Sequence, residues 1–216
     1  MLSYLDDNQR WNRINLTAMA GRYAERGALN DMSGNCLRTA LLNNLDSHYG
    51  LDISTSDGAL GSFNPCNYSI KFDPYVLITG ELLTAELFHA YQEQFLGGKL
   101  NQIKLDEAND HKGGSNIEFE EAAMYLLAGK FTGFGELPGT TKLIAWIDQF
   151  LKDHPIHSNV ALTQPEIDRW FEALEEFRTY YIDNPIQYPS LYDKPIDYDM
   201  LPTSLLKLWE LSDCIN

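Results

Sequence analysis

Apolar residues recur at helical spacing from Asp6 to about Arg26 and again from Asn35 to about His48, where Leu37, Leu41, Leu42 and Leu45 share a side. With Gly27, Gly34 and Gly50 as punctuation, this predicts two N-terminal helices. Between Gly61 and Pro74 the period changes. Tyr68, Ile70 and Phe72 alternate with Ser69 and Lys71 between Pro65 and Pro74, the pattern of one short, half-buried strand. Helical spacing returns from Gly80 to about Phe95 and stops at Gly97-Gly98, a natural left-handed terminator. A further apolar helix is predicted from Asn116 to Ala128, stopping at Gly129. A Gly-rich link from Lys130 to Gly139 leads to an amphipathic stretch through Trp146, Ile147, Phe150 and Leu151.

Thr163-Gln-Pro-Glu166 spells a capping box and opens a helix that reaches about Tyr181. The proline-rich run from Asn184 to Pro202 reads as an extended surface strap. Thr203 is then expected to cap a last helix that docks Leu205, Leu206, Leu208 and Trp209 on the body. About seven helices and one clear strand make the class mainly α (α+β) with a small sheet. The organisation is read as one domain over residues 1–216, with 184–216 as strap and docking helix.

Composition narrows the partners. The chain has 216 residues, 44% of them hydrophobic, which suits a globular protein with a real core. A formal charge of -15 repels a phosphate backbone or an anionic bilayer over most of the surface, and Lys and Arg cluster no more densely than Arg22/Arg26. Nucleic acid and membrane are therefore excluded as expected partners, and peptide or protein is retained. Cys36, Cys66 and Cys214 are odd in number and far apart, fitting neither a disulfide framework nor a CxxC metal knuckle, and each is read as a buried thiol. With no basic leader followed by an apolar run, and no apolar stretch approaching about 18 residues, the expected location is cytoplasmic.

The chemistry concentrates in Thr84-Ala-Glu-Leu-Phe-His-Ala-Tyr-Gln92. In a zinc peptidase helix of the HExxH kind, two His at i and i+4 hold the metal and the intervening Glu deprotonates its water. Here Glu86 and His89 are present and Ala85 stands where the first His would be. At about 100° per residue, Glu86, His89 and Glu93 fall on one side, and Leu83, Leu87, Phe88, Tyr91 and Phe95 on the other. That layout suits a cleft helix and equally a surface helix with a solvated polar face. On the next long helix, Asn116-Ile-Glu-Phe-Glu-Glu-Ala-Ala123, Glu120 sits at the edge of the apolar face. Glu118 and Glu121 point outward. A carboxylate beside apolar neighbours needs a partner, and His89, a metal or a backbone amide would each serve.

The strand Tyr68–Phe72, the helix with Glu86-Leu-Phe-His89, and the helix with Asn116-Ile-Glu118-Phe-Glu120 together resemble the zincin-like metallopeptidases. The resemblance covers Gly61 to Ala128. It implies an edge strand, an active-site helix and a downstream helix giving a glutamate ligand. By position it implies Glu86 as general base, His89 as a zinc ligand, and Glu120 or Glu118 as the third ligand. His111, in the loop between the two helices, is the candidate substitute for the missing His; His48, His154 and His157 are weaker ones. Because the link of about 20 residues beginning at Gly97-Gly98 is ample to reverse the chain and Glu120 needs a partner, His89 and Glu120 are expected within contact or one-ligand distance across two antiparallel or crossing helices. Three functional expectations follow: a degenerate zincin-like protein acting in binding or regulation, an active metal-dependent hydrolase with atypical ligands, or a structural protein in which Glu86, His89 and Glu120 form a hydrogen-bonded relic.

Overall fold

The computed structural model describes residues 14–16, 21–46, 49–53, 60–73, 78–130, 137–155, 160–185 and 191–214. Among them the chain is mainly helical with one small sheet, as the pattern predicts. It divides into two compact units, Met1–Asn101 and Gln102–Asn216, and each is described by itself. No helix among the described residues is long and apolar enough to cross a membrane.

The first unit holds the sheet. Strands β1 (Ile14–Leu16), β2 (Tyr49–Ile53), β3 (Gly61–Asn64) and β4 (Ser69–Phe72) lie in the order β1-β2-β4-β3. β1, β2 and β4 run parallel; β3 is antiparallel to β4 and forms an edge. The single expected strand is therefore one of four, and it is interior: the edge position belongs to β3. Tyr68 is not part of β4 but closes the turn before it with φ of 52°. In that turn Asn64 Oδ1 accepts the Cys66 N–H at 2.9 Å, and the Ser69 hydroxyl donates to Asn67 Oδ1 at 2.6 Å, the local side-chain bonding that makes Asn a turn former.

The N-terminal helices are shifted from expectation. β1 falls inside the stretch read as the first helix, and α1 runs Gly21–Ser33, with Gly27 in its interior rather than at its end. α2 is Cys36–Asn43, capped by the Asn35 carboxamide, which accepts the Leu37 and Arg38 N–H groups at 3.1 Å each. α3 spans Gly80–Phe95, opened by Thr79, whose hydroxyl oxygen accepts the Leu82 N–H, and closed by Gly97 and Gly98 at φ of 62° and 88°. Helix α3 packs on α1, α2 and β3. At its start a Cβ on Gly80 would stand 2.8 Å from Asp31 Cβ and 3.1 Å from Ala28 O, so the small residue is what lets α1 and α3 approach. Sequence reading leaves out α4, Lys99–Leu105.

In the second unit α5 (Gly114–Gly129) packs on α6 (Thr141–Asp153), α7 (Gln164–Asp183) and α8 (Thr203–Glu210). Its Phe119 ring lies 4.5 Å from Trp170 and 5.3 Å from Phe177, and Trp146 joins Trp170 to Phe150 at 4.9 and 5.0 Å. This aromatic chain is the core, each buried ring contributing about 2–3 kcal/mol by removal from water. At the start of α7 the Thr163 N–H and hydroxyl both donate to Glu166 Oε2, at 2.7 and 2.6 Å. Residues 191–202 form successive turns rather than an extended strap, and Ile196, Met200 and Pro202 are buried. Thr203 lies inside α8, whose cap position is Pro202 and carries no side-chain cap.

The thiol reading is corrected at two positions. Cys36 and Cys214 are both disulfide-bonded, since spacing along the chain does not limit which thiols oxidise. Cys66 is free, but exposed rather than buried.

Candidate functional site

Helix α3 is enclosed over most of its surface, with Glu81, Leu82, Ala85, His89 and Gln94 half-buried. Leu83, Leu87, Phe88 and Tyr91 are enclosed as expected, whereas Phe95 is 43% exposed. The polar side is enclosed as well: Glu86 is 7% exposed, Glu93 6% and Gln92 0%. Glu86 and Glu93 are thus not solvated, whereas His89 is half-buried, and an unmade hydrogen bond at the buried groups is costly.

Three local devices place them. Glu86 rests against the edge strand at Gly61, where a Cβ would come within 2.8 Å of Glu86 Oε1 and 3.1 Å of its Cγ. A side chain at position 61 would therefore displace that carboxylate. His89 Nδ1 lies 2.8 Å from Gln92 Oε1, one turn on along the same helix. Glu93 reaches forward to α4: its Oε2 accepts the Asn101 N–H at 3.1 Å. That carboxylate supplies one of the amide acceptors an isolated helix start lacks. Ala85, between Thr84 and Glu86, brings no donor atom.

The remaining candidates lie in the second unit. Glu120, 2% exposed, accepts the Leu205 N–H through Oε1 at 2.8 Å and so sits at the start of α8. A backbone amide, one of the partners named as options, is present. A carboxylate there meets both an orphan N–H and the positive end of the helix dipole. One turn earlier Asn116 Nδ2 donates to Asp197 O and Met200 O at 2.9 and 3.2 Å, and its Oδ1 accepts the Asp197 N–H at 2.9 Å. Asn116 and Glu120 thus hold the segment leading into α8. Asn116, Glu120, Trp170, Met200, Leu201 and Pro202 line a crevice too tight to admit a water.

Glu118 and Glu121 lie on the other side of α5, near Tyr181. Burial pushes the Tyr181 phenol above its ordinary value, and Tyr180, Glu121 and Glu118 add to the effect. His111 is tied to its own loop: a carbonyl only accepts, so its Nδ1 donates to Ile103 O at 3.0 Å, closing the end of α4, with φ of 55°. His154 Nε2 lies 2.6 Å from Glu166 Oε1. His48 and His157 fall outside the described residues.

Glu86 and His89 thus share one helix of the first unit, whereas His111, Glu118 and Glu120 belong to the second. Among the described residues no three His, Cys, Asp or Glu side chains form a group that could hold a metal ion. No protein-family model, no curated protein and no solved structure matches the chain. The functional reading therefore rests on the residues alone.

Gly61, Gln92 and Asn116 are the site residues that motif reading missed. The i, i+3 spacing of His89 and Gln92 was a usable signal, because such pairs face each other on a helix. Gly61 and Asn116 carry none, since their roles depend on which chain segments fold against them.

Proposed function

We propose that this chain is a zincin-like protein with a degenerate metal site that acts in binding or regulation, its partner a peptide or protein rather than a substrate to be cleaved. The observation that carries the reading is Ala85 in a motif otherwise intact on both sides. The carboxylate at the position of the third zinc ligand serves the start of α8, while Ala85 stands at the position of the first. With one of the usual three protein ligands absent, the donor set falls short of a catalytic zinc. Support for the zincin-like part comes from the first unit, where the motif helix packs against an antiparallel edge strand that flanks parallel ones.

The test is hydrolysis. The chain, assayed against a mixed peptide library with and without chelator, is expected to release no products. Chelator-sensitive cleavage that disappears in Glu86→Gln would replace this reading with that of a metal-dependent hydrolase.

A further inference from the structure

We infer that Asn67 is an N-glycan acceptor and that the chain matures in an oxidising, secretory compartment. The inference stands on two separate observations and does not depend on the degenerate-site reading.

The first is the state of the thiols. Cys36 and Cys214 are both disulfide-bonded, whereas Cys66 is free. The cytosol keeps thiols reduced, so lasting disulfides belong mainly to secreted proteins and to compartments on the way out of the cell. Cys214 is 1% exposed, which shields its bond from soluble thiols and marks it as structural rather than exchanging. The cytoplasmic expectation drawn from the sequence gives way to this.

The second is the place of Asn67-Tyr68-Ser69 in the fold. The tripeptide has the form Asn-x-Ser with x other than Pro, the acceptor form for N-glycosylation. A glycan is bulky and hydrated, so its asparagine must stand at the surface. Cys66, Asn67 and Tyr68 are three exposed residues in a row, in the turn between β3 and β4. The two strands pair antiparallel as far as Asn64 and Ser69, so a glycan on the turn leaves their pairing intact. The Ser69 hydroxyl donates to Asn67 Oδ1 at 2.6 Å, which engages the carboxamide oxygen. Its nitrogen, the atom that takes the sugar, makes no hydrogen bond among the described residues. Asn15-Leu16-Thr17 has the same form, but Asn15 is the middle residue of β1, opposite Gly50 of β2, and offers no such turn.

The donor is a lipid diphosphate-linked oligosaccharide. Asn67 Nδ2 forms a bond to its anomeric carbon, the bond from that carbon to the diphosphate oxygen breaks, and Nδ2 gives up one proton. Nothing is oxidised or reduced.

The test is made in eukaryotic secretory cells, with the full chain behind a cleavable leader. Wild type should carry a glycan that is removed by an amidase cleaving the sugar–asparagine bond, converting Asn67 to Asp, which peptide mass analysis reads. Asn67→Gln and Ser69→Ala should each lose that glycan, and Ser69→Thr, which keeps the tripeptide, should retain it. Transfer precedes secretion, so cell lysates report the result even for a variant that does not leave the cell. A wild-type chain without glycan on Asn67 overturns the acceptor assignment. The compartment is tested on Asn67→Gln, where this glycan plays no part. Secreted, it should show one labelled thiol in denaturant, Cys66, out of three cysteines, and should unfold at higher urea than the same chain made in a reducing cytosol. Three labelled thiols in the secreted chain, or equal urea midpoints, overturn that half of the inference.

Discussion

The Leu205 N–H donates to Glu120 Oε1 at 2.8 Å, so a buried carboxylate from the middle of one helix serves as the acceptor at the start of another. Glu120→Ala leaves that amide buried without its acceptor and is expected to cost about 2–3 kcal/mol. Glu120→Gln keeps an acceptor oxygen but loses the charge and should cost about 1 kcal/mol. Urea unfolding followed by tryptophan fluorescence measures both, since Trp146, Trp170 and Trp209 all lie in this unit. Equal losses in the two variants would show that a neutral acceptor recovers nothing and that the charge carries the whole effect.

Acid lability should come in part from Glu166. Burial pushes this carboxyl toward protonation, but the Thr163 hydroxyl and N–H and the His154 ring outweigh it, and its pKa is lowered. A group whose folded pKa is depressed adds stability above its unfolded pKa, and that stability is lost as pH falls through the folded value. Wild type should therefore lose stability as pH drops below about 4.3, the ordinary glutamate value, more steeply than Glu166→Gln. Urea midpoints at pH 7 and pH 3 test this: parallel losses in the two proteins would rule out the contribution. Glu210, held down by the Val160 N–H and Lys207, should act in the same direction.

Gly61 should be coupled to Glu86. A methyl at position 61 meets Glu86 Oε1 at 2.8 Å and Phe72 Cε1 at 3.1 Å, and displacing them is expected to cost about 1–3 kcal/mol. In a Glu86→Ala background the carboxylate is gone and the cost of Gly61→Ala should shrink. A cost unchanged by Glu86→Ala would locate the strain at Phe72 instead.

The elements legible in the sequence were those with strong local signals. α3 begins and ends where its apolar period and the Gly97-Gly98 pair place it, and the Thr163/Glu166 pair marks α7 without tertiary help. β2 was missed because Tyr49-Gly50-Leu51-Asp52-Ile53 alternates correctly but contains Gly and Asp, poor strand formers rescued here by pairing on both sides with β1 and β4. Gly27 was misread as a stop, although packing of α1 carries the chain through it. At the site, the apolar edge around Glu120 correctly signalled a need for a partner. Its identity was not legible, because a backbone N–H 85 residues away leaves no mark in composition or spacing.

The metal content of protein purified without chelator tests the central claim most directly. Elemental analysis of the wild-type chain should find zinc far below one equivalent, because Ala85 offers no donor where the first ligand would stand. One tightly held zinc per chain, lost in both His89→Ala and Glu120→Ala, would contradict the degenerate-site account and establish a complete metal centre.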